Sequence, residues 1–229
     1  RLKRIELYRD FPLESQVKVL KALVDAGQHT NFGKIHGFEH IESIKHFQQQ
    51  VPLQDYDTLE PYIQQAIHGA KDVLWPGYTK WFAKSSGTTG KRIKTLPVTK
   101  DSLEHTHYAG GKDLLACYHQ NVPNRKLYSK KHLILGGSNS LQNIDQHAIV
   151  ADLSAIIIDN LPIWTEFRRV PEKQIVLHAD WEEKLMLMAE ASIKEDVAII
   201  AGVPSWMTTF GNIVLKHSGK NTLHEVWPN

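Results

Sequence analysis

The chain has 229 residues, of which 41% are hydrophobic and 23% are charged, and its formal net charge is +2 with histidine neutral. This composition predicts a globular protein with a core of its own, and it excludes the strong positive field of a nucleic-acid or anionic-membrane binder. Its one cysteine, Cys117, excludes an intramolecular disulfide framework, so we expect a reducing, cytoplasmic location. No apolar run approaches the roughly 20 residues of a membrane span.

The first part of the chain is predicted to be mainly helical. Apolar residues that recur every three to four positions predict an amphipathic helix over 13–26, ending at Gly27: Leu13, Val17, Leu20 and Val24. Further helices are predicted over 39–50 and 58–69. Thr58 is the predicted N-cap of the latter, with Pro61 in its first turn.

The pattern changes near residue 79, where a strand is predicted over 80–84. A second strand with alternating polarity is predicted over 92–98, and Thr99 is placed to cap a helix over 100–119. We therefore divide the chain into a helical N-terminal segment, 1–78, and an α/β portion, 79–229.

The second half alternates strand and helix signals. Short apolar runs predict strands over 133–135, before Gly136-Gly137, and over 197–201, whereas 148–158 is apolar and ambiguous. Two helices are also predicted. One begins with a capping box of Asp180 and Glu183 and carries Trp181, Leu185, Met188 and Ser192 on one face; the other spans 204–217, with Pro204 in its first turn. This alternation predicts an α/β fold with a sheet flanked by helices.

A loop rich in glycine and hydroxyl groups lies between the first two predicted strands. Its residues are Ser85, Ser86, Gly87, Thr88, Thr89 and Gly90, and the cations Lys91, Arg92 and Lys94 follow. Glycine allows close backbone approach to a ligand, and successive N–H groups form a nest for anions. The segment therefore predicts a phosphate-binding loop, although a solvated hairpin turn uses the same residues. It lacks the spacing of a Walker loop.

The loop and its surroundings resemble a known family. Five segments occur in order: Thr30-Asn31-Phe32-Gly33-Lys34, Val51-Pro52-Leu53-Gln54-Asp55-Tyr56, Leu74-Trp75-Pro76-Gly77, Phe82 to Gly90, and Gly202-Val203-Pro204-Ser205-Trp206. Together they resemble the auxin-responsive acyl-acid amido synthetases, within the adenylate-forming superfamily of acyl-CoA synthetases, peptide-synthetase adenylation domains and luciferases. The resemblance covers essentially the whole chain.

The resemblance implies an activity. ATP would be bound with Mg²⁺, its phosphates lined by Ser85 to Gly90 with Lys94 nearby; a carboxylic acid would be adenylated and its acyl group passed to an amino-acid amine. The family's two later signatures and its C-terminal domain are missing here. We therefore expect the chain to be the N-terminal part of a longer protein, inactive by itself, with the catalytic residues and the magnesium ligand mostly beyond residue 229.

The resemblance also suggests residues of the acyl pocket, namely Tyr108, Gly111, Trp206 and Met207. Trp206 and Met207 are equally typical of a core beside an apolar strand, and Gly111 of close helix packing. An acyl-CoA ligase with a thiol acceptor and a non-catalytic nucleotide-binding module remain alternatives. The residues name neither the acid nor the amine, nor the oligomeric state.

Two histidine pairs are candidate metal ligands, His36 with His40 and His105 with His107. The first pair lacks the glutamate that follows the leading histidine of a zinc-protease helix, and a single cysteine cannot supply a cysteine pair for structural zinc. We expect no metal bound by protein side chains. The partners expected are small acids and amino acids, with no nucleic acid and no membrane.

Overall fold

The computed structural model describes residues 1–85, 93–123, 127–137 and 147–228, and the backbone of 142–145. The chain divides into two compact units, the first of residues 1–123 with 141–150 and the second of residues 124–140 with 151–229. Residues 1–78 lie entirely in the first unit, and a boundary near residue 78 stays a prediction.

The first unit begins with a run of helices. They are α1 (Leu2–Asp10), α2 (Pro12–Gly27), α3 (Asn31–Ile35), α4 (Ile44–Gln50) and α5 (Tyr56–Ile67). The helix predicted over 13–26 is confirmed. Helix α1 was not predicted, and it buries none of its residues, so its sequence carries no core-facing stripe. The single helix predicted over 39–50 is wrong, because a 3-10 turn, Phe38–His40, precedes α4 and Ser43 caps that helix.

Helix α5 begins two residues before the predicted start. The Asp55 carboxylate accepts a hydrogen bond from the Thr58 N–H, and the Thr58 hydroxyl accepts one from the Asp55 N–H. Asp55 is therefore the N-cap, and Thr58 is the third helical residue of a capping box. The prediction of Thr58 as the N-cap is wrong, because its own backbone N–H is capped by the Asp55 carboxylate. With this start, Pro61 lies inside the helix and not in its first turn.

A four-stranded sheet follows. Strands β1 (Trp81–Lys84) and β2 (Thr95–Val98) are antiparallel, with Trp81 opposite Val98 and Lys84 opposite Thr95. Strands β4 (Gln142–Asp145) and β5 (Ala148–Asp152) are also antiparallel to each other. The strand order in the sheet is β2-β1-β5-β4. The first-unit core packs helix α5 against this sheet through Ile63, Ala66, Ile67, Val73, Phe82, Ala148 and Val150. The strand predicted over 80–84 is confirmed, and of the one predicted over 92–98 the described part is β2.

The helix predicted over 100–119 is confirmed as three consecutive helical pieces. Thr99 caps the first of them through the Ser102 N–H. The pieces are α6 (Lys100–Ser102), a π-helical segment (Leu103–His107) and α7 (Tyr108–Asn121).

The second unit is built around the parallel strands β3 (Lys131–Leu135) and β6 (Val197–Gly202). The ambiguous run over 148–158 is β5 followed by a helix. The helices are α8 (Leu153–Asp159), α9 (Lys173–Val176), α10 (Trp181–Ser192), α11 (Pro204–Ser218) and α12 (Leu223–Val226). The strands and helices of this unit share a core that includes Leu133, Leu135, Val176, Met188, Phe210 and Val214.

The local predictions for the second unit are confirmed with one exception. Leu185, Met188 and Ser192 are buried on one face of α10, and Pro204 opens α11. Of the predicted capping box, the Asp180 carboxylate accepts the Glu183 N–H at 2.8 Å, whereas the Glu183 carboxylate lies 3.7 Å from His178 Nε2. Sheets flanked by helices confirm the α/β class. No helix within the described ranges has both the length and the apolar composition needed to cross a bilayer.

Candidate functional site

The hairpin of β1 and β2 brings Ser85 and Lys94 together at the base of the predicted phosphate loop. The Ser85 N–H donates to the Lys94 carbonyl at 2.9 Å, and the Lys94 N–H donates to Ser85 Oγ at 3.1 Å. Because Oγ accepts this bond through a lone pair, the hydroxyl keeps its own proton for a further acceptor. The two residues thus fix both ends of the segment between them.

The remaining predicted loop residues lie outside the described part of the chain: Ser86, Gly87, Thr88, Thr89 and Gly90, together with Lys91 and Arg92. Their assignment to ATP phosphates stays a prediction. What the structure adds is the geometry at the loop's two ends.

Tyr56 contacts the residues at the end of the loop, although it is not among the predicted site residues. Its hydroxyl accepts a hydrogen bond from the Thr95 N–H at 3.0 Å, and Lys94 Nζ lies 5.3 Å from the centroid of its ring. A cation at this distance from an aromatic ring is attracted to the ring face. Tyr56 therefore restrains both the start of β2 and the Lys94 ammonium.

Asp55 adds a negative charge beside this cation. The pKa of the Asp55 carboxyl is lowered, chiefly by the hydrogen bond from the Thr58 N–H, with the Lys94 charge as a smaller cause. Asp55 and Tyr56 close the segment Val51 to Tyr56 that carries the family resemblance. That segment was therefore the available signal for both residues.

The acyl-pocket candidates fall into two pairs in different units. Tyr108 and Gly111 lie on α7 in the first unit, and Trp206 and Met207 lie on α11 in the second. Tyr108 is buried, whereas a Cβ added at Gly111 would meet nothing within 4 Å. The reading of Gly111 as a site of close helix packing is therefore wrong.

Trp206 and Met207 pack against the second-unit core, as the core reading predicted. The rings of Trp206 and Trp181 have their centroids 4.9 Å apart. Met207 also borders a cavity of about 410 Å³, lined almost entirely by apolar residues: Ile200, Pro204, Met207, Thr208, Phe210, Gly211, Leu223 and Trp227. A role for any of the four candidates in holding an acyl group stays a prediction.

Within the described ranges, no group of three or more histidine, cysteine, aspartate or glutamate side chains is placed to hold a metal ion. Ser85 and Lys94 instead offer a hydroxyl and an ammonium, which are donors suited to phosphate oxygens. The binding of an anion at these two residues stays a prediction.

Relatives of the chain share its fold. Its sequence matches the model of the family described as "GH3 family N-terminal domain" over residues 1–229. The indole-3-acetic acid-amido synthetase GH3.3 of Arabidopsis thaliana is 28% identical over 90 residues, which cover 39% of this chain and 15% of that protein.

Two solved structures extend the comparison. GH3.15 acyl acid amido synthetase matches with a TM-score of 0.65 and 17% identity, over 88% of this chain and 36% of that one. AtGH3.15 acyl acid amido synthetase in complex with 2,4-DB matches with a TM-score of 0.72 and 18% identity, over 93% of this chain and 38% of that one. The chain thus spans well under half the length of these relatives. A family match from the first residue to the last, on a fold shared with solved members, shows that this chain belongs to the GH3 family through its N-terminal domain.

Proposed function

We propose that the protein uses ATP to adenylate a carboxylic acid and transfers the acyl group to the amine of an amino acid, with this chain supplying the phosphate-binding part. The observation that carries the proposal is the family match over all 229 residues. The relatives in that family are an indole-3-acetic acid-amido synthetase and acyl acid amido synthetases. The identity of the acid is left to the experiment below.

The two residues at the ends of the loop, Ser85 and Lys94, support a role for the loop in binding the triphosphate. Ser85 offers a hydroxyl proton, and Lys94 offers a positive charge whose position is restrained by the Tyr56 ring. In adenylation the acid's carboxylate attacks the α-phosphorus and pyrophosphate leaves. The contribution of these residues is to hold the phosphates in line and to offset the negative charge that develops there.

Magnesium is expected to accompany ATP, with its protein ligand outside this chain. The proposed location is the cytoplasm, because the single cysteine of the chain fits a reducing compartment. The expectation of magnesium depends on the proposed activity.

The first experiment is a calorimetric titration of this chain with MgATP. Hydrogen bonds to charged groups contribute about 1.5–3 kcal/mol, so Lys94→Met and Thr88→Ala should each weaken ATP binding by roughly 10- to 100-fold. Lys18→Met is the matched control, because Lys18 is an exposed lysine on α2, and it should bind ATP as the unaltered chain does. Equal affinity in all four proteins would refute the loop assignment.

The second experiment is acid-dependent ATP–pyrophosphate exchange, with aryl, indole and fatty acids as candidates and amino acids or coenzyme A as acceptors. Exchange followed by an amide product would support the proposal and name the acid class. A thioester product in place of an amide would identify an acyl-CoA ligase. ATP binding by a longer protein that contains this chain, without exchange for any acid, would identify a non-catalytic nucleotide-binding module.

A further inference from the structure

Lys184 is a lysine in the core of the second unit. It lies on α10 with no exposed surface, and its ammonium nitrogen reaches two backbone carbonyls, Gly136 O at 2.7 Å and Gly137 O at 2.9 Å. Buried lysines are rare because desolvation disfavours their charge, so such a side chain needs specific acceptors. Here the acceptors are consecutive carbonyls at the end of β3.

The backbone at Gly136 and Gly137 is held from a second side. The Gly137 N–H donates to Ser154 Oγ at 2.9 Å, and a Cβ added at Gly137 would come within 2.4 Å of Asp152 Oδ2. These two glycines follow the carboxyl end of β3, which runs parallel to β6. Ligands of open α/β sheets bind at this edge, so the backbone conformation of the two glycines shapes the surface that a ligand would meet.

The number of acceptors around Lys184 matches one protonation state better than the other. A neutral amine has two N–H groups, and an ammonium has three. Within the described part of the chain, Lys184 Nζ donates to the carbonyls of Gly136 and Gly137 and to no third acceptor. Both N–H groups of the neutral amine are therefore satisfied by carbonyls, whereas the third N–H of the ammonium finds, among the described residues, only the face of the Trp181 ring, whose centroid is 5.4 Å from Nζ.

We infer that Lys184 is a latch on the carboxyl end of β3: its buried amine holds the backbone of Gly136 and Gly137 through two hydrogen bonds, and gain of a proton weakens that hold. The two glycines then move away from Lys184 more readily when Lys184 is charged. This inference concerns the second unit alone and needs neither ATP nor an acid substrate, so it stands or falls separately from the proposed function.

Opposing electrostatic effects act on this amine. Burial lowers the pKa of Lys184 from 10.5 to about 8, and the negative charge of Asp152 acts in the opposite direction. The Trp181 ring, whose centroid is 5.4 Å from Nζ, also favours the charged form. Lys184 binds a proton more weakly when it is buried against these carbonyls than when it is released into water. Protonation of Lys184 therefore favours its release from the two glycines. Closure is therefore strengthened as pH rises from about 8 towards 10.5.

Amide hydrogen exchange at Gly137, followed by NMR on this chain, tests the latch. With a closed-state pKa of about 8 and an open-state value of 10.5, the protection factor of Gly137 should rise about tenfold from pH 7 to pH 9, after correction for intrinsic exchange. The Ser102 amide, which donates to Thr99 Oγ1 at 3.1 Å in the first unit, is the matched control. Its protection factor should not follow this pH dependence. Equal pH dependence at Gly137 and Ser102 would overturn the inference.

Two variants separate the latch from a purely structural role. Lys184→Met keeps an unbranched side chain but removes the amine, so the pH dependence at Gly137 should disappear. Asp152→Asn removes the charge that favours the ammonium, which lowers the pKa of Lys184 further. The rise in protection from pH 7 to pH 9 should then exceed that of the unaltered chain, and this readout remains if Lys184→Met does not fold. An unchanged rise in either folded variant would contradict the latch.

Discussion

Thr30 shows how one side chain can fix the join between two helices. It is 1% exposed, its hydroxyl donates to the Gly27 carbonyl at 2.7 Å, and its Oγ1 accepts the Gly33 N–H at 2.9 Å. One buried hydroxyl thus satisfies the carbonyl at the end of α2 and an N–H at the start of α3. The segment Thr30 to Lys34, quoted above for its family resemblance, therefore has a structural reason for its threonine.

Thr30→Val should lower the free energy of unfolding by about 2 kcal/mol, because valine keeps the shape but leaves the buried Gly33 N–H unsatisfied. The Gly27 carbonyl loses one of its two hydrogen bonds and keeps the one from the Thr30 N–H, at 3.0 Å. Urea denaturation measures this loss. Ser43→Ala is a suitable control, since Ser43 caps α4 in an exposed position through the His46 N–H. It should cost only about 0.5–1 kcal/mol. A loss at Thr30 no larger than at Ser43 would refute the importance of burial.

Gly33 is a position where the backbone itself excludes a side chain. An added Cβ would lie 2.1 Å from the Gly27 carbonyl oxygen and 2.9 Å from its carbon. Since these are backbone atoms, the turn must move to relieve the clash. Gly33→Ala should cost about 3 kcal/mol in unfolding free energy, at the upper end of typical overpacking penalties. A variant as stable as the unaltered chain would show that the turn adapts easily.

At the scale of elements, the helical stretch from Lys100 to Asn121 contains two features that weaken it. A π-helical segment, Leu103–His107, interrupts the α-helical hydrogen bonds. Gly110 and Gly111 follow in α7, exposed, with nothing within 4 Å of an added Cβ at either position. Segments of π-helix are frequent at functional sites, and each glycine in a helix interior costs stability relative to alanine. Gly111 is also one of the predicted acyl-pocket residues.

Gly110→Ala and Gly111→Ala should each raise the free energy of unfolding by about 0.5–1 kcal/mol. Alanine fits the open space and reduces the entropy of the unfolded chain. Chemical denaturation of each variant measures the change, and Gly33→Ala supplies the opposite sign for the same substitution. Destabilisation at either α7 position would mean that its backbone does not accommodate an ordinary residue.

At the scale of the whole molecule, each unit has a hydrophobic core of its own. Phe82, with no exposed surface, belongs to the first core, and Phe210, 1% exposed, belongs to the second. Because the two cores share no residues, a core substitution can destabilise one unit at a time. Such substitutions test whether the two units unfold separately.

Phe82→Ala and Phe210→Ala should each cost about 3–5 kcal/mol of local stability through the cavity that they leave. Hydrogen exchange with mass spectrometry should locate the loss of protection. We expect it in β1 and β2 for Phe82→Ala, and in β3 and β6 for Phe210→Ala. Equal loss across both units in each variant would mean that the chain unfolds as one cooperative body.

Much of this protein was determined by its sequence alone, wherever the signal was local. The helix over 13–26, the strand over 80–84 and the opening of α11 at Pro204 follow from apolar spacing, caps and turn residues, which act over a few positions. The ordered segments around the Ser/Gly/Thr loop were likewise sufficient to predict the family.

Only the tertiary structure decided which distant residues meet. Tyr56 reaches Thr95 across 39 positions, and Lys184 reaches Gly136 across 48, so no local pattern marks either contact. A lysine within an amphipathic helix is usually solvent-exposed. Lys184 is buried because the fold brings the carbonyls of Gly136 and Gly137, which follow the carboxyl end of β3, within hydrogen-bonding distance of it as acceptors in place of water. Whether a polar group can be buried depends on the partners that long-range folding brings within hydrogen-bonding distance.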